Sequence, residues 1–164
     1  EPAKVAAIAG AVAQGLLAGG VLPVLKHLPG HGRATADSHA RLPVVDTDRA
    51  TLQATDFAAF QPLCGLPLGM TAHVVFTAID PVAPATTSVT MVREVIRGFI
   101  GFQGLLMSDD VSMNALSGSI AEQRSQCDQS PAYLGLDRAQ RYAGVRSNLV
   151  MRQAFEERQR DKLP

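Results

Sequence analysis

The sequence predicts an α/β protein built on a parallel sheet with helices outside it, and three observations carry that expectation. Three short apolar runs, Val21 to Leu25, Leu68 to Phe76 and Gly104 to Ser108, have the length and composition of strands buried on both faces. A helical pattern precedes the first run, and a polar loop and a helical stretch follow each one, the alternation that argues for parallel pairing. Clusters of His and Asp fall just past the C-terminal ends of the runs, the edge at which such sheets build their sites.

In chain order, Pro2 suits a helix start, and Ala3 to Leu17 is Ala-rich with apolar residues at helical spacing. Gly19-Gly20 then stops it. The first strand run, VLPVL, contains Pro23, which is awkward inside a central strand. A Gly- and His-rich loop follows from His27 to about Val45. Asp46 or Thr47 is placed to cap a helix over Asp48 to Leu63, with Leu52, Phe57 and Phe60 on its apolar side. After the second strand run, Pro81 and Pro84 mark a loop. Ser88 then caps a helix over Val89 to Arg97, which Gly98 terminates. The third strand ends in Asp109-Asp110, and a further helical stretch begins near Ser112.

Composition bounds the function. The chain has 164 residues, 46% of them apolar and 18% charged, which is neither a disordered nor a membrane-spanning profile. Fifteen basic residues balance fifteen acidic ones, so no net field favours nucleic acid or an anionic membrane. No apolar run reaches the roughly 18 residues of a bilayer span. Cys64 and Cys127 show no metal-type spacing and point weakly to a reducing compartment.

Four clusters carry chemistry. Lys26-His27-Leu28-Pro29-Gly30-His31-Gly32 sets a cation and two imidazoles in an irregular turn at the mouth of the first strand. Asp37-Ser38-His39 offers a carboxylate that can orient an imidazole and raise its basicity. Met70-Thr71-Ala72-His73 ends the second run, and Ser108-Asp109-Asp110-Val111-Ser112-Met113 ends the third. Adjacent residues of an extended segment point opposite ways, so one carboxylate of the Asp pair faces the site and the other is free to cap a helix. Each cluster alone has an ordinary explanation, such as a loop histidine bonded to backbone or a histidine in the core.

Two chemistries fit this inventory. One is retaining glycoside hydrolysis, in which a carboxylate attacks the anomeric carbon while another group protonates the leaving oxygen. The other is metal-assisted hydrolysis, for which His27, His31, His39, His73 and the aspartates are competent ligands. No HExxH helix, Cys pair or Asp-rich calcium loop supports the second. A phosphate loop is absent as well, because no Gly-Lys-Ser/Thr follows the glycines.

Taken in order, KHLPGHG, DSH, MTAHV and SDDVSM resemble the family-3 β-N-acetylhexosaminidases, whose pattern runs K-H-F-P-G-H-G, D-[ST]-H, M-x-A-H-[VI] and [ST]-D-x-L-x-M. Leu28 and Val111 are mild departures. The likeness covers residues 1–122 and corresponds to the C-terminal half of that family's barrel. It implies part of a (β/α)8 TIM barrel, about three βα units, and removal of terminal non-reducing β-linked N-acetylglucosamine. It further implies Asp109 as nucleophile, His39 as general acid/base held by Asp37, and Lys26 and His27 on sugar hydroxyls. His31 and His73 would shape the site. No cofactor or metal is implied. The expected partners are N-acetylglucosamine-containing saccharides such as muropeptides, in cytoplasmic peptidoglycan recycling.

A whole barrel of this type needs about 250 residues, and three strands leave unpaired sheet edges open to self-association or to a complementary half-barrel. A catalytically silent fragment is therefore the alternative to a self-sufficient enzyme. The N-terminus of this sequence already reads as helix, so a native signal peptide would lie outside it. Residues 123–164 are rich in Arg and Gln without a convincing strand. They read as a solvated helical tail, or as a stretch foreign to the fold from a shifted reading frame.

Overall fold

A computed structural model of the chain describes residues 1–36, 38 and 41–110. Asp37 and His39, the helical stretch expected near Ser112 and the segment 123–164 lie outside the described residues. Helix α1 spans Pro2–Ala18 with its proline in the first turn, where a missing N–H costs nothing. It closes through Gly19-Gly20, with Val21 N–H donating back to the Leu16 carbonyl at 2.8 Å.

Strand β1 is Val24–Leu28, shifted later than the apolar run suggested. Pro23 thereby sits just before the strand, where it interrupts no ladder bond. The shift carries Lys26 and His27 into the strand itself. Val44–Val45 forms β2, and Arg49–Ala54 forms α2. The α2 cap is Asp48 and not Asp46 or Thr47: its carboxylate accepts from Thr51 N at 2.8 Å and from Thr51 Oγ1 at 2.6 Å. Asp46 instead accepts from the Thr77 hydroxyl at 2.6 Å.

The helix expected to reach Leu63 stops at Ala54. Thr55 turns its hydroxyl back onto the Thr51 carbonyl at 2.6 Å, and Pro62 cannot donate. The chain continues as two single 3₁₀ turns, Phe57–Ala59 and Gln61–Leu63. The second apolar run divides in two, with β3 at Leu68–Thr71 and β4 at Val75–Phe76 on either side of His73. Helix α3, Met91–Phe99, is π-wound, and the Ser88 hydroxyl accepts from Met91 N at its start. Ile100 N–H bonds to the Val95 carbonyl, and this wider winding carries the helix through Gly98, where a stop was expected. Strand β5 is Leu105–Met107.

The sheets are parallel. One has the order β1-β3-β5, with Val24 opposite Leu68 and Leu68 opposite Leu105. The other pairs Val44 with Val75 and Val45 with Phe76. Leu28, Leu52, Phe57, Phe76, Ile96 and Phe102 fill the core, with the Phe57 and Phe76 rings edge to face at 5.8 Å. Arg97 ties α3 to the approach of β5 by donating to the carbonyls of Phe102 and Gly104 at 2.8 and 2.9 Å. Its guanidinium lies 5.5 Å from the centre of the Phe102 ring.

Phe102 reaches the central strand at Gly69. A Cβ added there would sit 2.7 Å from the ring and 2.8 Å from Leu28 Cδ1, both fully buried. Gly69→Ala is therefore expected to destabilise the fold by about 1–3 kcal/mol, the usual cost of overpacking a filled core. Urea unfolding of the variant beside the wild type measures it.

Candidate active site

The β1-β3-β5 register brings the ends of three strands to one edge. Asp109 follows β5 by two residues, and His27 lies near the end of β1. Their side chains meet, with His27 Nε2 3.4 Å from Asp109 Oδ2, at 31% and 23% exposure. Both remain open enough to touch a ligand. The other carboxylate oxygen of Asp109 accepts from Asp110 N–H at 2.9 Å, which fixes the carboxylate against its own backbone.

Burial holds the His27 imidazole below its ordinary pKa. Asp109 pulls it up, while Lys26, His31 and His73 push it down again. At neutral pH the ring is thus uncharged. It can donate a hydrogen bond without neutralising the neighbouring carboxylate as an imidazolium would.

His31 packs edge-on against His27, with ring centroids 6.0 Å apart, and its Nε2 lies 3.3 Å from the hydroxyl of buried Ser38. Gly30 between them has φ of +147°, which a side chain would strain. Beyond His31, the Arg33 guanidinium pairs with Asp56 at 2.6 Å and donates to Thr55 Oγ1 at 3.0 Å, pinning the loop to the segment after α2. Lys26 is exposed and borders a groove of about 250 Å³ between α1 and β1, whose other walls include Val12, Leu16, Pro23 and Leu66.

His73 stands behind this pair. Its Nδ1 is 2.7 Å from Thr86 Oγ1 and its Nε2 3.0 Å from the Asp110 carbonyl. Sequence reasoning did not single out Thr86, because it sits in a hydroxyl-rich loop without periodicity. The structure therefore gathers His27, His31, His73 and Asp109, with Lys26 on the adjoining strand position. Asp37 and His39 lie outside the described residues. Among the described residues no three His, Cys, Asp or Glu side chains gather closely enough to hold a metal ion.

The sequence profile described as the glycosyl hydrolase family 3 N terminal domain matches residues 1–133. The chain belongs to glycosyl hydrolase family 3. The match runs past residue 122, where the texture of the sequence changes. A β-hexosaminidase from Alkalilimnicola ehrlichii is 44% identical to this family-3 chain over 110 residues, covering 63% of the chain and 31% of the relative. One from Chromobacterium violaceum is 37% identical over 121 residues, covering 73% and 34%. Among solved structures, a glycoside hydrolase family 3 β-N-acetylglucosaminidase from Paenibacillus superposes with a TM-score of 0.68 at 35% identity, over 72% of this chain and 23% of that one. NagZ from Neisseria gonorrhoeae, solved with N-trifluoroacetyl-D-glucosamine, gives 0.70 at 35% identity, over 79% and 38%. The chain thus spans about a third of the length of these curated relatives.

The loop that carries Thr86 is organised by Asp80. Burial works to raise the pKa of this carboxyl, but hydrogen bonds from the Ser88 hydroxyl and from Ala83 and Val82 N–H outweigh it and hold it below its ordinary 3.8. A depressed folded pKa stabilises the fold fully above the unfolded value, and that contribution is lost as pH falls through the folded value. Urea midpoints of wild type and Asp80→Asn are therefore expected to differ at pH 7 and to converge below 3.8.

Proposed function

We propose that this edge belongs to a (β/α)8 barrel and hydrolyses terminal, non-reducing β-linked N-acetylglucosamine with retention of configuration. The observation that carries the reading is the 3.4 Å approach of His27 to Asp109, which joins the first and last of the four sequence motifs at the C-terminal ends of parallel strands. The β-hexosaminidase and β-N-acetylglucosaminidase relatives support the same chemistry.

In this mechanism Asp109 attacks the anomeric carbon as the glycosidic C–O bond breaks. His39, oriented by Asp37, gives its proton to the leaving oxygen. Water then gives a proton to the neutral His39 and attacks the same carbon, releasing Asp109 as carboxylate. Two inversions leave the configuration unchanged. Lys26 and the neutral His27 bind sugar hydroxyls, and His31 and His73 hold the walls of the site. Muropeptides of cytoplasmic cell-wall recycling are the natural substrates on this reading.

Turnover of a chromogenic β-N-acetylglucosaminide by the chain tests the reading. Asp109→Asn is expected to lower kcat on the order of 10⁴-fold, the scale seen when one member of a catalytic unit is removed. A variant that keeps wild-type turnover sinks the assignment.

A second reading is favoured by the surface of α1. Val5, Ile8 and Val12 are 55%, 59% and 59% exposed on that helix, and Val24 and Leu105 are exposed on the two outer strands of the sheet. Burying one such side chain fully contributes about 1.5–3 kcal/mol. On this reading the site works only when further βα units, from a complementary half-barrel or a second copy, cover that face. Specific activity then rises with protein concentration in step with a larger species seen by light scattering, and Val12→Glu suppresses both. Activity proportional to concentration, from a monomer, rejects it.

A further inference from the structure

Thr71, His73 and Thr86 are polar side chains in the core, each fully buried or nearly so. Such groups are tolerated only when their hydrogen bonds are made, and here the bonds form one chain. Thr71 Oγ1 lies 3.0 Å from Thr86 Oγ1, Thr86 Oγ1 lies 2.7 Å from His73 Nδ1, and His73 Nε2 lies 3.0 Å from the Asp110 carbonyl.

The proton positions follow from the far end. A carbonyl only accepts, so His73 Nε2 carries a hydrogen. Burial lowers the His73 pKa, outweighing the Asp110 carbonyl and the Asp109 and Asp110 charges that act the other way. The ring is therefore neutral, and Nδ1 is an acceptor. Thr86 donates to it and accepts in turn from Thr71. The Ala72 carbonyl, 3.1 Å from Thr86 Oγ1, is the longer alternative for that hydroxyl proton.

The end of this chain is the backbone on the C-terminal side of Asp109. On the N-terminal side, Met107 is held in the sheet opposite Met70. The Asp109 backbone is thus gripped from both directions by β3 and the residues that follow it. The Asp110 N–H that fixes the Asp109 carboxylate belongs to the same residue whose carbonyl His73 holds.

We propose that His73 and Thr86 are positioning residues for Asp109, with Thr86 orienting the ring and the ring's Nε2–H holding the carbonyl of Asp110, the residue whose N–H fixes the carboxylate. The proposal rests on Asp109 being the nucleophile and adds two residues, with fixed proton directions, to its support.

Thr86→Val keeps volume and removes the hydroxyl, whereas Thr86→Ser keeps the hydroxyl. If the chain positions the nucleophile, Thr86→Val lowers kcat about 10- to 100-fold, the scale of a small misplacement of reacting groups. KM stays near the wild-type value, and Thr86→Ser restores kcat. Equal kcat in Thr86→Val and wild type overturns the proposal. Long-range ¹H–¹⁵N spectra of the whole chain supply a readout independent of turnover. His73 is expected as the neutral Nε2–H tautomer at pH 7, and Thr86→Val is expected to move the Asp109 and Asp110 backbone resonances. An Nδ1–H or charged ring, or unmoved resonances, overturns it. A wild-type chain with the expected spectra and no turnover removes self-sufficient glycosidase activity alone and leaves the coupling of Thr86 to Asp109 standing.

Discussion

Parallel pairing with Leu68 of β3 held between Val24 and Leu105 puts the ends of three strands at one level. The approach of His27 to Asp109 and the bond from His73 to the Asp110 carbonyl depend on that register. Because side chains alternate along a strand, slipping β5 by one residue against β3 would turn the Asp109 side of the chain toward the other face. The register is itself held by packing beneath the site. Phe102 covers the central strand, Arg97 binds the carbonyls on either side of the turn into β5, and Leu25 and Leu28 anchor β1 from the core side.

Above that floor, the Asp109 and Asp110 carboxylates lie beside two imidazoles, His27 and His73, held below their ordinary pKa. Burial lowers both His27 and His73, and neither is close enough to full exposure to escape it. Asp109 therefore faces hydrogen-bond donors without facing a fixed cation on β1's histidine. On the proposed mechanism it is this carboxylate, approached by His27 and braced by the Asp110 N–H, that meets the electron-poor anomeric carbon.

Much of this was legible in the sequence. The apolar runs and the glycine pair after α1 marked the parallel sheet and its first helix, and the order KHLPGHG to SDDVSM marked the edge and the family. Other parts were illegible for physical reasons. Strands β2 and β4 are two residues each, too short for any period to register. At the break of α2 the Thr51 carbonyl accepts from both the N–H and the hydroxyl of Thr55, an arrangement of local geometry that no apolar spacing records. The π-winding of α3 changes the hydrogen-bond step without changing the apolar pattern. Thr86 gains its place only because a buried ring needs a donor, and no spacing along the chain reveals that need.

The close fit of Phe102 and Leu28 over Gly69 also constrains how the protein can change over generations. An alanine at position 69 needs space that only a smaller residue at position 102, with some retreat of Leu28, can open. Shrinking Phe102 first leaves a void in the core, and enlarging Gly69 first forces a collision, so each single step is unfavourable where the pair is not. A side chain at position 69 is therefore accommodated only together with a smaller residue at position 102 and a retreat of Leu28.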